Sequence, residues 1–211
     1  MLGPMTTKAI QELRPGLHRW TAIHPDAEPV PTVGSPDDWG PDVASVAYEA
    51  PDALLLVDPL VPEDRADVQA ELDRLVERHG KPVVIVTTLQ FHRRSRDELV
   101  ERYGASTSRA KKNLPRDVET VVLQGAGETM VWLPKPRALI PGDRLLGDDE
   151  RGGVRLCPDS WLRYLPSGMR QRELREALRP LLGLPVELVL VSHGEPVLER
   201  GREAIARALK G

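Results

Sequence analysis

The chain has 211 residues, which suits one domain with a sizeable core, and a formal net charge of −3. The acidic balance argues against a dedicated nucleic-acid binder, whose domain is usually basic. No apolar run approaches the ~18 residues of a membrane span, no leader of basic then apolar residues is visible, and the lone Cys157 offers no internal disulfide, so a cytoplasmic protein is expected.

Residues 1–13 read as a frayed helix or an arm, and Leu17–Ile23 as a strand. Residues 25–41, rich in Pro, Asp and Gly, read as a long surface loop carrying Trp39. Residues 43–48 and 53–57 read as paired strands turned by Pro51-Asp52. Glu63, Asp64 and Asp67 at one end and Arg74, Arg78 and His79 at the other match the dipole of a helix that Gly80 stops. Its stripe of Val68, Leu72, Leu75 and Val76 faces a core. A strand over 83–87 follows.

Ser95 and Glu98 have capping-box spacing, which predicts a helix to Tyr103 ending at Gly104. Further strands are expected at 118–123, 129–133 and 137–140, the last two joined by Pro134-Lys135-Pro136. Residues 144–166 read as an irregular insertion, apart from 161–165. A third helix opens at Ser167 or Gly168, turns Leu174, Leu178, Leu181 and Leu182 inward, and closes at Gly183. A final strand (186–191) and a final helix (201–210) complete the chain. The pattern predicts a single α/β (α+β) domain over 1–211, with two packed sheets and helices outside.

Four apolar runs lead into side chains of metal-ligand type. They end at Asp58, His92, Asp143 and His193. Ligands gather at the ends of strands and on the loops that follow them, so these four residues are the candidate site.

Here the sequence resembles the metallo-β-lactamase superfamily, over roughly residues 14–210. Leu54-Leu55-Leu56-Val57-Asp58-Pro59 resembles its early strand ending in Asp. Val84-Ile85-Val86-Thr87 leads into the place of its His-x-His-x-Asp-His motif. Residues 128–133 resemble the strand after its next His. Pro141-Gly142-Asp143 resembles the Gly-Asp that supplies a bridging carboxylate, and Val191-Ser192-His193-Gly194 its last His ligand. The resemblance implies an αββα four-layer sandwich with a metal site at one edge.

The departures are as informative. Laid on this chain, the motif falls on Thr88, Leu89, Gln90, Phe91, His92 and Arg93, so both leading histidines are missing. The next histidine, expected within 124–127, is missing too. The first metal position loses its usual ligands. The second keeps His92, Asp143 and His193, with Asp58 to orient a ligand or an arginine.

Two histidines and a carboxylate with an open position suit one catalytic Zn²⁺, or else Fe(II). The resemblance then implies hydrolysis of an ester, thioester, lactone or phosphoester, with His92 and Asp143 in catalytic roles. Against this, Arg93 is permanently cationic. In the alternative, Arg93 fills the metal's place in a non-catalytic ligand-binding or scaffold protein without a metal. A third reading, nucleic-acid processing, is disfavoured by the acidic balance and the single Phe. Each site residue also has a plain structural role open to it: a turn aspartate for Asp143, loop-bonded side chains for Asp58 and His92, a core-edge histidine for His193.

Arg93, Arg94 and Arg96 precede or open a helix, with Arg109, Lys111 and Lys112 further on. They make either a solvated face or a site for a small anionic molecule. Trp39 and Trp161 either wall that pocket or form small satellite cores. The substrate and the oligomeric state stay open.

Overall fold

The computed structural model describes residues 9–27, 40–108, 113–163, 165 and 167–210; Trp39 and residues 109–112 lie outside them. The first sheet has six strands, in the order β1 (Gln11–Arg14), β2 (Leu17–Ile23), β3 (Asp42–Glu49), β4 (Leu54–Val57), β5 (Val83–Val86) and β6 (Ser106–Ser108). β1 to β4 are antiparallel neighbours. β4, β5 and β6 are parallel, linked by the helices α1 (Ala66–His79) and α2 (Arg96–Tyr103). The second sheet runs β12 (Leu188–Val189), β9 (Ala138–Ile140), β8 (Glu128–Leu133), β7 (Glu119–Leu123). Between these, β10 (Leu145–Gly147) and β11 (Val154–Leu156) form a hairpin, followed by the short helix α3 (Asp159–Leu162).

Strand alternation builds the layers. Leu55 and Val57 of β4 meet Val131, Leu133, Ala138 and Ile140 in the core between the sheets. Leu54 and Leu56 face the other way, onto Val68, Leu72 and Leu75 of α1 and Leu99 of α2. In the second sheet Met130, Trp132 and Leu139 turn outward to Leu174 and Leu178 of α4 (Gln171–Leu178) and Ile205 of α5 (Gly201–Ala208). β4, β5 and β9 are apolar throughout because both of their faces are covered. Each fully buried leucine contributes about 1.5–3 kcal/mol. The result is the expected αββα sandwich.

Several local expectations are corrected. Residues 11–14 are a strand, not a helix or free arm: Pro15-Gly16 reverses the chain, with Gly16 at φ 73° and its N–H donated to Glu12. α1 starts at Ala66, leaving Glu63 and Asp64 in the turn before it. Ser95 precedes α2 but makes no capping bond; its buried hydroxyl accepts the Val61 N–H at 2.9 Å. The three-residue β6 was too short and polar to read. The last strand is only Leu188–Val189. The irregular insertion over 144–166 holds the β10–β11 hairpin and α3, with Leu145, Leu146, Val154 and Leu162 buried. Its polar residues are concentrated in the turn, which masked the short apolar stretches beside it. Among the described residues no helix is long and apolar enough to cross a membrane.

Candidate functional site

Asp58 directly follows β4 and Thr88 lies two residues past β5, at the same end of two parallel strands. Asp143 and His193 each lie four residues beyond the paired Leu139 and Val189 of β9 and β12. Two backbone bonds tie the sheets at this rim: Ala44 N–H to Ser192 O at 2.8 Å, and Thr129 N–H to Thr88 O at 3.0 Å. Residues from distant parts of the chain therefore meet.

Asp58 is buried and sits in the left-handed region, at φ 47°. Such a backbone persists where its surroundings fix it. Its carboxylate accepts the Thr88 N–H at 2.8 Å and the Thr88 hydroxyl at 2.5 Å, and meets His92 Nδ1 at 2.9 Å. His92 Nε2 then lies 3.1 Å from Asp143 Oδ1, and His193 Nε2 lies 3.4 Å from the same oxygen. The ligand atoms of His92, Asp143 and His193 all fall within 4.8 Å of one another.

Asp143 is set from behind by Glu128. This buried carboxylate accepts three successive N–H groups, from Gly142 (3.0 Å), Asp143 (2.8 Å) and Arg144 (2.9 Å). A Cβ on Gly142 would stand 2.8 Å from Thr88 Oγ1 and 3.1 Å from Glu128 Oε2, so only glycine allows this approach. The hairpin braces the other side: the Gly147 N–H donates to His193 O at 2.8 Å, and Asp149 accepts the Glu195 N–H at 2.9 Å. Trp161 stands edge-on to His193, with ring centroids 5.8 Å apart.

Burial opposes charge on His92, but the carboxylates of Asp143 and Asp58 outweigh it and raise its pKa to about 9. For Asp143 burial pushes upward, and the two imidazoles overcome it, holding the carboxyl well below its usual range. His193 goes the other way: burial lowers its pKa despite Asp143. Without an ion, a proton on His92 is therefore the cation that the two carboxylates share. Burial and the neighbouring Asp143 push Glu128 up to about 7, against the pull of Arg144 and its amide donors.

The structure thus brings Asp58, His92, Asp143 and His193 together. Arg93 is a correction: its side chain is exposed and does not fill the cluster. The inward arginine is Arg94, whose backbone is left-handed at φ 44°. Its guanidinium donates to Ala44 O (2.7 Å), Asp58 O (2.8 Å) and Ser192 Oγ (2.7 Å), joining both sheets. A turn of one residue in this loop decides which arginine enters, and spacing alone does not encode that turn. Thr88 and Glu128 were also missed as site-building residues. The only sequence signal for Glu128 is an acid opening an otherwise apolar strand. His18 is buried in β2 and bonded to Glu49 at 2.9 Å.

No protein-family model matches the chain, and no curated protein matches its sequence. Solved structures match over nearly all of it. The DIM-1 metallo-β-lactamase exposed to ceftazidime is 14% identical, with 95% of each chain covered and a TM-score of 0.61. VMB-1 at pH 5.5 is 15% identical over 97% of this chain and 98% of its own, with a TM-score of 0.62. The fold is the metallo-β-lactamase fold. FIM-1 of Pseudomonas aeruginosa, in its mono-zinc form, is 12% identical over 95% of this chain and 94% of its own, with a TM-score of 0.56. At such identities the likeness speaks for the metallo-β-lactamase fold alone, and the chemistry has to come from the site's own atoms.

Proposed function

We propose that the protein is a metallo-hydrolase with a single metal position, held by His92, Asp143 and His193. The observation that carries this is the convergence of three donor atoms, from both sheets, within 4.8 Å. The fit of a cation rests on Asp143 Oδ1. That oxygen is buried between two imidazole nitrogens, at 3.1 and 3.4 Å, and one carboxylate oxygen with two imidazole nitrogens is a donor set that a divalent ion takes. Two histidines and one carboxylate leave a coordination position open, which suits Zn²⁺ first and Fe(II) second. Bound there, the ion would supply Lewis acidity and bring the pKa of water towards ~7.

The chain's own residues prepare that position. Asp58 accepts from His92 Nδ1 and so leaves the Nε2 lone pair facing Asp143. Loading the site expels the His92 proton, so uptake of metal should release protons. Arg94 keeps its charge turned onto two carbonyls and a hydroxyl rather than into the donor set. The substrate class on this reading is an ester, thioester, lactone or phosphoester, and the location is cytoplasmic.

The test is metal analysis of protein purified without chelator, paired with hydrolysis of nitrophenyl ester, thioester and phosphodiester probes. About one zinc or iron per chain is expected, lost in His193→Ala together with hydrolysis. Protein with no metal, and a melting temperature that neither chelator nor added Zn²⁺ moves, would overturn the proposal in favour of a scaffold with a protonated His92.

A further inference from the structure

Two cavities stand out among the described residues, and their linings differ. The larger, of about 480 Å³, mixes signs: Glu12, Glu49 and Glu71 face Arg74, Arg78 and His18. The smaller, of about 390 Å³, is lined by Thr87, Thr88, Gln90, Arg93, Arg96 and Thr129, with Leu89 as its apolar wall. Among the described residues no carboxylate lines it. Arg96 shares its charge with Asp97, at 2.7 Å, but among the described residues no acid pairs with Arg93. The remaining polar side chains are hydroxyls and an amide, which donate hydrogen bonds without adding negative charge. A lining of guanidinium and neutral donors, with no acid, fits an anion.

This cavity shares one side chain with the groups that hold His92 from behind. Thr88 belongs to its wall, and the same threonine hydroxyl donates to Asp58 and lies 3.2 Å from His92 Nδ1. Thr129 belongs to it as well and is the residue whose N–H crosses between the sheets to Thr88 O. The rim that joins the sheets therefore carries the donor cluster on one side of Thr88 and a cationic pocket on the other. The volume lies within the range of small-molecule sites, ~300–1,000 Å³.

We propose that the Arg93 cavity binds the carboxylate or phosphate of an anionic substrate, so that the enzyme selects esters or thioesters carrying such a group. As a substrate subsite this rests on the hydrolase reading; as an anion site it does not. Arg93 is the residue that carries recognition, Thr129 and Gln90 supply neutral donors, and Thr88 links occupancy to the position of His92.

The experiment is calorimetric titration of the full chain with inorganic phosphate and, separately, with acetate, the zinc content being measured on the same samples. Saturable binding of one anion per chain is expected. Loss of one charge-assisted contact in Arg93→Ala should weaken it roughly tenfold, and charge reversal in Arg93→Glu should abolish it. Arg78→Ala, in the mixed cavity, should leave it unchanged. Phosphate binding without acetate binding would assign phosphate-bearing substrates, and binding of both would assign carboxylates too. Absence of saturable binding by either anion, or the same affinity in Arg93→Glu, overturns the inference even if zinc is present. Anion binding lost in Arg93→Glu but without zinc upholds the pocket and removes the hydrolase.

Discussion

The first sheet has a histidine–carboxylate cluster at each end. Beyond the end of β4 stands Asp58 with His92, Asp143 and His193. At the other end Glu49, which closes β3, meets His18 at 2.9 Å, Arg78 at 3.2 Å and His79 at 3.7 Å. The residue types are alike and the physics is not. Asp58 and His92 side chains are 5% and 7% exposed, whereas Arg78 is 62% exposed beside Glu49. The far cluster is drawn from one sheet and α1, and a guanidinium already balances its carboxylate. The near cluster takes side chains from both sheets, and only there, among the described residues, do three donor atoms converge on one point. A shared rim between two sheets, rather than a local concentration of His and Glu, is what makes a candidate metal centre.

The largest contrast should appear when each central carboxylate is removed. Asp58→Ala strands a buried imidazole, a buried hydroxyl and the Thr88 N–H, and we predict a loss of about 3–5 kcal/mol, the cost of leaving a buried partner uncompensated. Glu49→Ala, where the carboxylate is 25% exposed although its partner His18 is buried, should cost less, about 1–2 kcal/mol. Urea unfolding of both variants measures this. Equal losses would break the contrast, because burial would then not be what separates the two ends.

The sequence carried most of the fold and pointed to the four side chains that meet at the rim, for physical reasons that can be named. β4 and β5 are apolar at every position, so the last residue of β4, and hence Asp58, could be placed, and the end of β5 to within one residue. Asp143 and His193 were marked by the apolar runs that lead into them; that they lie at equal offsets past two paired strands is what the structure adds. What failed was local and short. β10 and β11 have three residues each, which is too little for a period to emerge from a polar stretch. The Arg93 and Arg94 exchange depends on a left-handed residue in a loop, and nothing in residue type distinguishes neighbouring arginines. Glu128 acts on backbone N–H groups that any sequence possesses, so its partners leave no mark in the sequence.

An intermediate effect is expected at the glycine that lets the two halves of the near cluster approach. In Gly142→Ala the new Cβ meets Thr88 Oγ1 at 2.8 Å, Leu89 Cδ1 at 3.0 Å and Glu128 Oε2 at 3.1 Å. All three are held, so the loop bearing Asp143 must move. We predict a loss of about 1–3 kcal/mol from overpacking and zinc binding weakened at least tenfold, as when groups supporting a ligand are disturbed. Gly183→Ala, with nothing within 4 Å of its Cβ, is the control and should change stability by about 0.5 kcal/mol or less. Unaltered zinc titration in Gly142→Ala would show that Asp143 is not held in place by this contact.

The smallest effect belongs to the far end and is visible only in its pH dependence. Burial raises the Glu49 pKa, but hydrogen bonds from His18 and Arg78 outweigh it, so the net shift is below the usual 4.5. A carboxylate with a depressed pKa in the folded state contributes stability above its unfolded pKa, and loses it as pH falls through the folded value. The melting temperature of Glu49→Gln should therefore lie slightly below the wild type at pH 6, by a difference worth about 1 kcal/mol or less. That difference should shrink as the pH is lowered below about 4.5, where the wild type becomes protonated as well. Arg78→Ala should narrow the window by removing one of the two donors. A gap between wild type and Glu49→Gln that stays constant down to pH 3 would mean that Glu49 acts through its shape and not its charge, and the far cluster would then not be electrostatic at all.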